Sequence, residues 1–202
     1  FAGVFDGRGH TIRGLRIDVP ASEPDDARRR NLGVFGSIAE GGAVRGVKLV
    51  DVLVRGYARL GGVAGENLGE VSDCEVAGLV EDTGSGAADS TAGSLGGVVG
   101  VNRGDVSHCV SSVSVRGGTN VVGGVVGSNG PDGTVSHSFF RGAITLRAGT
   151  NAAVGGVAAS NQGAITSCGA EGTFELLSAG TVGGLVGNLG TMSTGLPAFV
   201  TR

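Results

Sequence analysis

A five-residue pattern, Gly-Gly-apolar-apolar-Gly, recurs along the chain with little change and limits the fold more than any other feature. It reads LGVFG at 32–36, GGVAG at 61–65, GGVVG at 96–100 and at 123–127, GGVAA at 155–159 and GGLVG at 183–187. The second positions of these copies are separated by 29, 35, 27, 32 and 28 residues. A recurring unit of this size with variable insertions is typical of a stacked repeat architecture.

Glycine accounts for 42 of the 202 residues, about three times its average use of ~7%. Collagen is excluded because glycine does not recur at every third position and only 4 prolines are present. A disordered linker is disfavoured because 40% of the residues are hydrophobic, enough to build a core. An ordinary helical domain fits poorly, since each interior glycine would cost about 1 kcal/mol relative to alanine.

The repeat extends beyond its glycines into an asparagine, a turn, an aliphatic residue, a Ser or Thr, and then a cysteine. This continuation reads ENLGEVSDC at 66–74, VNRGDVSHC at 101–109 and SNQGAITSC at 160–168, and SNGPDGTVSHS at 128–138 carries two extra turn residues. Cys74, Cys109 and Cys168 each follow the second motif position of their unit by 12 residues. The three cysteines are therefore expected to occupy one structural position.

Each unit contains the signals of three short strands: the apolar GGVVG segment, a VSHC segment after the Asn-x-Gly turn, and a third segment such as 113–117. Three short strands cannot bury an apolar face unless successive units stack, with like strands pairing in parallel. Since parallel crossovers are overwhelmingly right-handed, the sequence predicts an all-β, right-handed parallel β-helix of about six to seven coils.

We expect a single β-helix domain over 1–202, a fragment of a longer repeat protein. Its predicted divisions are a first coil and loop (1–31), coils at 32–60, 61–95, 96–122, 123–154 and 155–182, and a terminal coil at 183–202. Two segments break the repeat, 20–31 and 81–94, and both are expected to be exposed loops at coil corners. As the places where a regular scaffold varies, they supply candidate binding residues: Asp25, Asp26, Arg28, Arg29, Arg30, Glu81, Asp82 and Asp89.

Stacking predicts ladders of like residues. The aliphatic ladder consists of Val71, Val106, Val135 and Ile165, the asparagine ladder of Asn67, Asn102, Asn129 and Asn161, and the cysteine ladder of Cys74, Cys109 and Cys168. Asparagine suits a turn because its side chain can bond local backbone groups or a stacked amide. The neighbouring glycines are expected to supply the positive φ angles of the corners.

The segment FDGRGHTIRGLRI at 5–17, LGVFG at 32–36, GGAVRGVKL at 41–49 and the reiterated GGVVGxNxGxVSxC units resemble the GLUG-repeat proteins of bacteria. These are large secreted or surface-attached proteins, among them filamentous adhesins and the N-terminal regions of some immunoglobulin A-cleaving metallopeptidases. The resemblance implies a right-handed β-helix, export, and a role in adhesion or as a stalk, but no particular activity. The family often has Asn-Cys-Tyr-Ala-Thr-Gly where this chain has Asp73-Cys74-Glu75, which removes an aromatic residue that could stack on sugars.

Charge and hydropathy limit the classes of partner that the chain is expected to bind. With 15 basic and 18 acidic residues the net charge is −3, so nucleic acid is not expected as a partner. No apolar run approaches the ~20 residues of a membrane span, and no membrane insertion by this segment is expected. The chain opens on Phe1 without a signal-peptide pattern, which we interpret as a mature piece or a fragment. The three cysteines lack CxxC spacing and are expected to be free core residues.

A weak polar column precedes the cysteine position and contains Asp73, His108 and His137. Neighbouring coils would bring these side chains about 5 Å apart, close enough to share a metal ion or a proton. The simpler interpretation is a solvated turn column, and we expect no metal, cofactor or catalytic residue. The chain has no HExxH motif, so it holds no metallopeptidase centre of that type.

Two further patterns suggest activities. Stacked Glu70 and Asp105 have the spacing of a glycosidase carboxylate pair, about 5–9.5 Å, but Tyr57, Phe139 and Phe140 do not assemble an aromatic cleft. Arg103-Gly104-Asp105 spells a tripeptide that integrins recognise, yet it falls in the repeat's own turn.

The sequence therefore predicts a noncatalytic extracellular scaffold of a bacterial surface or secreted protein, acting as adhesin body, stalk or filament subunit. A carbohydrate-active β-helix enzyme and an accessory region of a secreted metallopeptidase are the alternatives. The expected partners are a protein or glycan on another cell or matrix, or copies of the chain joined end to end.

Overall fold

Each repeat unit folds into strands that belong to four parallel sheets, here called A to D, with strands numbered in chain order. The computed structural model describes residues 1–19, 31–83, 93–117, 121–146, 152–177, 180–190 and, for the backbone alone, 199–201. Within these residues the chain is all-β, with no helix, and every strand pair is parallel. The protein is thus a parallel β-helix, as the sequence predicts.

Sheets A and B form the first half of each coil. Sheet A contains β1 (Val4–Asp6), β6 (Ala43–Arg45), β10 (Glu70–Ser72), β14 (Asp105–Ser107), β18 (Thr134–Ser136), β23 (Ala164–Thr166) and β28 (Phe199–Thr201). Sheet B contains β2 (Thr11–Arg13), β3 (Arg16–Asp18), β7 (Lys48–Gly56), β11 (Glu75–Asp82), β15 (Val110–Gly117), β19 (Phe139–Phe140), β20 (Ala143–Leu146), β24 (Gly169–Ala170) and β25 (Thr173–Leu176).

Sheets C and D complete each coil. Sheet C contains β4 (Asn31–Leu32), β8 (Arg59–Gly61), β12 (Ser94–Gly96), β16 (Val121–Gly123), β21 (Ala153–Gly155) and β26 (Thr181–Gly183). Sheet D contains β5 (Phe35–Ile38), β9 (Ala64–Asn67), β13 (Val99–Asn102), β17 (Val126–Asn129), β22 (Ala158–Asn161) and β27 (Val186–Leu189). The chain passes through sheets A, B, C and D six times, which we number coils 1 to 6, and β28 returns to sheet A.

The GGVVG motif is a corner between sheets C and D, which corrects the prediction that it forms a strand and that each coil has three strands. In coil 3, β12 ends at Gly96 and β13 begins at Val99, leaving Gly97 and Val98 in the bend. Both Val98 and Val99 are fully buried. Successive side chains of a straight strand point to opposite faces, so two adjacent inward valines require the chain to turn between them.

The core is a column of aliphatic ladders running along the coil axis. Val71, Val106, Val135 and Ile165 are paired in register from coil to coil, and each is fully buried. The neighbouring inward column contains Val47, Cys74, Cys109 and Ser138, all no more than 2% exposed. The core consists mainly of small and β-branched side chains, and the chain contains no tryptophan.

The motif glycines serve close approach, not positive φ, which corrects the expected role. Among the described residues, glycines with positive φ occur at 9, 14, 41, 46 and 78, and none of these belongs to the motif or follows a ladder asparagine. A Cβ on Gly100 of sheet D would lie 2.6 Å from the carbonyl oxygen of Gly65 and 2.8 Å from the amide nitrogen of Leu60 in sheet C. The backbones of sheets C and D therefore touch, and there is no room for a side chain between them.

The loop predicted at 81–94 is shorter than expected. Glu81 and Asp82 end β11 and are only 7% and 5% exposed, and Ser94 begins β12 at 4% exposure. Glu81 is held because Arg55, its register partner in β7, donates a hydrogen bond of 2.9 Å from Nε. Asn31, expected to end the first loop, begins β4. The remaining candidate loop residues, Asp25, Asp26, Arg28, Arg29, Arg30 and Asp89, lie outside the described residues.

Candidate functional site

The polar column predicted at Asp73, His108 and His137 lies at the corner between sheets A and B, directly after the last residue of each sheet A strand. Every coil from 2 to 6 has a left-handed residue here: Gly46, Asp73, His108, His137 and Ser167, with φ of 61°, 53°, 52°, 48° and 52°. Left-handed backbone costs an ordinary L-residue roughly 1–2 kcal/mol, which glycine and, to a degree, Asp and Asn avoid. Three of these residues were grouped from the sequence, but the backbone conformation that they share was not predicted.

Backbone hydrogen bonds fix the spacing of this corner from coil to coil. The amide nitrogen atoms of Asp73, His108 and His137 donate to the carbonyl oxygens of Ser107, Ser136 and Thr166, each at 3.1 Å. The left-handed turn sends the corner side chain outward and the next residue inward, so exposed Asp73 and His108 are followed by buried Cys74 and Cys109. The corner therefore presents an ordered outer column above an ordered inner one.

The imidazole rings of His108 and His137 are stacked face to face. Their centroids lie 4.8 Å apart and their planes differ by 2°. Both side chains are exposed. Asp73 and Ser167 occupy the same position one coil to either side. In the part of the chain that the structure describes, no cluster of three or more His, Cys, Asp or Glu side chains is arranged to hold a metal ion.

The three cysteines are free thiols that line the core beneath this corner. Cys74 and Cys109 are fully buried and Cys168 is partly buried. The side-chain contact with Cys109 lowers the pKa of Cys74. The same contact, together with burial, raises the pKa of Cys109 well above its usual range, and burial raises the pKa of Cys168. Burial and protonation both make Cys109 and Cys168 poor nucleophiles.

The four ladder asparagines lie at the end of sheet D and form a continuous chain of amide hydrogen bonds. Each Nδ2 donates to the Oδ1 of the next, from Asn67 to Asn102 at 2.9 Å, and from Asn102 to Asn129 and Asn129 to Asn161 at 2.8 Å. All four side chains are fully buried. Each Nδ2 also donates to a carbonyl of its own turn, such as Gly104 for Asn102. Aliphatic residues take the register positions at both ends, Ile38 before Asn67 and Leu189 after Asn161.

The candidate carboxylate pair is brought together, since Glu70 and Asp105 are register partners in β10 and β14. Each has a local hydrogen-bond donor: Ser72 Oγ donates to Glu70 at 2.7 Å, and Thr134 Oγ1 donates to Asp105. Of the aromatic residues considered for sugar subsites, Tyr57 and Phe140 are buried, and Phe139 packs beneath the guanidinium of Arg141 at 5.0 Å. No exposed aromatic platform accompanies the carboxylates among these residues.

The Arg103-Gly104-Asp105 tripeptide is tied into the coil surface at both ends. Arg103 forms an ion pair with Glu66 at 2.7 Å, and Arg59 forms a second ion pair with Glu66 at 3.1 Å. Asp105 accepts the hydrogen bond from Thr134. This Glu66 cluster was not anticipated from the sequence. Arg59 precedes Glu66 in the same coil, but Arg103 belongs to the next coil and meets Glu66 only after stacking.

A stretch of 81 residues is 32% identical to halomucin of Haloquadratum walsbyi, and it covers 40% of this chain and 1% of halomucin. No protein-family model matches the chain. No solved structure matches it either. The residues that the structure describes form no helix, and so they include no helix long and apolar enough to cross a bilayer.

Proposed function

We propose that this chain is a noncatalytic β-helix scaffold that works outside the cell as the stalk, adhesin body or filament subunit of a larger surface or secreted protein. The proposal rests on one observation, the contacts made by the residues that define the repeat. The motif glycines, the asparagines and the cysteines contact neighbouring coils or the core. A repeat of this kind preserves an architecture, and its outer surface is free to vary.

The asparagine ladder shows what the repeat contributes. A buried amide left without partners costs about 1–3 kcal/mol, and each internal ladder residue finds its partners one coil away. Adding a coil therefore extends the same hydrogen-bonded column without a new fold. This is the property expected of a spacer whose length is set by its number of repeats.

The partial similarity to halomucin supports an extracellular or surface context. Because that relative is archaeal, it lends no support to the bacterial origin implied by the resemblance to GLUG-repeat proteins. Within such a context, the partners we propose are a protein or glycan on another cell or matrix, or copies of the chain itself.

A coil-insertion experiment tests the scaffold role. Gly96 and Gly123 are register partners, so extra copies of residues 97–123 inserted after Gly123 keep every column aligned. Three copies should lengthen the molecule by about 14 Å, at about 4.8 Å for each coil. The length is measured by pulsed electron paramagnetic resonance between spin labels on exposed Thr11 and Thr173, with the native cysteines replaced by serine, the residue that already stands at 138.

The matched control is an insert of the same copies with one residue added inside each copy of β13, which reverses its inward and outward positions. This control should lose cooperative unfolding, whereas the in-register insert should keep it. An in-register insert that unfolds, or that leaves the label distance unchanged, would contradict a modular scaffold. Turnover of a polysaccharide or protein substrate by the purified chain would contradict the noncatalytic assignment and favour the enzyme alternative.

A further inference from the structure

The geometry points to a two-histidine site on the outer corner between sheets A and B, formed by His108 and His137, that binds one divalent transition-metal ion of the Cu²⁺, Ni²⁺ or Zn²⁺ class. The site does not depend on the scaffold role. It rests on the stacked placement of two exposed imidazoles in adjacent coils.

The backbone holds the two histidines in position before an ion binds. Both histidines hold the same left-handed conformation, with φ of 52° and 48°, and their amides are hydrogen bonded to the following coil. Their strands are paired in register one residue earlier, at Ser107 and Ser136. The two side chains therefore leave the surface side by side and in the same direction, so neither must be brought in from a distance when an ion binds.

The two rings must reorient only slightly relative to the backbone before both can bind one ion. Metal–nitrogen bonds of about 2.0–2.1 Å place two coordinating nitrogens about 3 Å apart. The two ring centroids lie 4.8 Å apart with the planes parallel, so the in-plane nitrogen lone pairs do not yet converge on one point. Rotation of the rings toward each other brings the nitrogens to a common ion, because the χ2 torsion of histidine is broad. Both rings are exposed, and among the described contacts each ring's interaction is the stack with the other, so the movement breaks no buried contact.

The donor atoms and their surroundings suit a divalent transition-metal ion. Neutral imidazole suits Cu²⁺, Ni²⁺ and Zn²⁺, and affinity for nitrogen sites is highest for Cu²⁺. Asp73, exposed at the same position one coil before His108, adds a negative charge on the same column. Two protein ligands leave the remaining coordination positions to water or to a small chelator, so the site is an open one.

The test uses Cu²⁺–iminodiacetate, a chelated probe that retains free coordination positions for two imidazoles, titrated into the full chain at neutral pH. Calorimetry gives stoichiometry and affinity, and electron paramagnetic resonance counts the bound nitrogens. We expect one Cu²⁺–iminodiacetate for each chain at the paired site. His108→Asn and His137→Asn should each weaken that binding at least tenfold, because a chelate needs both rings.

The variants are chosen so that a loss of copper binding cannot be due to a loss of folding. Asparagine is the ordinary residue that best tolerates left-handed backbone, and circular dichroism melts confirm that each variant folds. His10→Asn removes the remaining histidine, which is exposed in coil 1, and should leave the affinity unchanged. Cys168→Ser removes the most accessible thiol and should also leave it unchanged.

Three outcomes would overturn the site. If each histidine bound copper independently, each histidine variant would lose half of the copper-binding capacity, and the remaining half would keep its affinity. A nitrogen count of one in the wild type would show that the rings do not converge. Loss of binding in Cys168→Ser with retention in the histidine variants would assign the copper to the thiol.

Discussion

The chain turns by different means at the corner between sheets A and B and at the corner between sheets C and D. At the A–B corner, five successive coils use a residue with positive φ, and only one of the five is glycine, Gly46. At the C–D corner, glycine recurs in every coil, at 33, 61, 96, 123, 155 and 183, and none of these residues has positive φ. Of these two corners, the one with ordinary backbone conformation is thus rich in glycine and the left-handed one is not.

The difference teaches what glycine does in this protein. At the C–D corner a Cβ on Gly61 would lie 2.8 Å from the amide nitrogen of Gly100, closer than real side chains approach backbone. At the A–B corner the side chain projects into solvent, so the backbone pays a modest conformational cost and any outward side chain is accommodated. Steric room, more than backbone freedom, decides where glycine is required.

The largest effect should come from filling the crowded corner. Gly124→Ala puts a Cβ into the carbonyl oxygen of Gly156 and the ring of Phe140, and we expect a loss of about 3 kcal/mol or more in the free energy of unfolding. Gly184→Ala is the matched control at the same motif position of coil 6, where no atom of the described residues lies within 4 Å of the new atom. Chemical denaturation measures both, and equal losses would show that crowding is not the cause.

The next largest effect should come from the asparagine ladder at the end of sheet D. Asn102→Leu leaves the Nδ2 of Asn67 and the Oδ1 of Asn129 without their ladder partners, and should cost about 2–3 kcal/mol. Asn161→Leu removes the last ladder member, which has Leu189 beyond it, and should cost about half as much. Urea midpoints of the two variants give the comparison, and a larger loss for Asn161→Leu would contradict it.

A smaller effect is expected at the left-handed corner. His108→Val places a β-branched residue at a φ of 52° and should destabilise the chain by about 1–2 kcal/mol. His108→Asn keeps a residue that tolerates this conformation, so it isolates the loss of the imidazole stack and should cost no more than about 0.5 kcal/mol. If thermal unfolding shows the two variants to be equally stable, the positive φ carries no cost here.

The smallest effect should come from the glycine of the permissive corner. Gly46→Asn matches the residue to a φ of 61°, and the nearest atom to its Cβ is the amide nitrogen of Arg8 at 3.4 Å. We expect the free energy of unfolding to change by no more than about 0.5 kcal/mol. A loss comparable to that of Gly124→Ala would remove the distinction between the two corners.

Much of the fold could be predicted because the repeat period places like residues at one position. The spacing of Cys74, Cys109 and Cys168 and the alignment of Val71 with Val106 were sufficient to place them in columns. The number of sheets was not predictable from the same pattern. A run such as GGVVG looks like one apolar strand, and only the burial of both Val98 and Val99 shows that the chain turns within it.

The candidate site was anticipated only in outline. The positions of Asp73, His108 and His137 before the cysteine column identified one corner. The stacking of the two rings follows from a left-handed backbone conformation, and a set of Asp, His and Ser residues does not predict that conformation. Glu81 and Asp82 looked like loop residues because they border a Gly- and Ser-rich stretch. Arg55 in the preceding coil instead holds Glu81 in a strand.

The sequence by itself determined that the chain winds in parallel coils, because a period of about 30 residues repeats the same inward residues at the same places. Only the tertiary structure decided which glycines are indispensable, which carboxylates are buried and which histidines touch. Those properties depend on atoms one coil away, about 4.8 Å along the axis but some thirty residues along the chain. A local pattern cannot report a clash or a contact with atoms that stacking alone brings near.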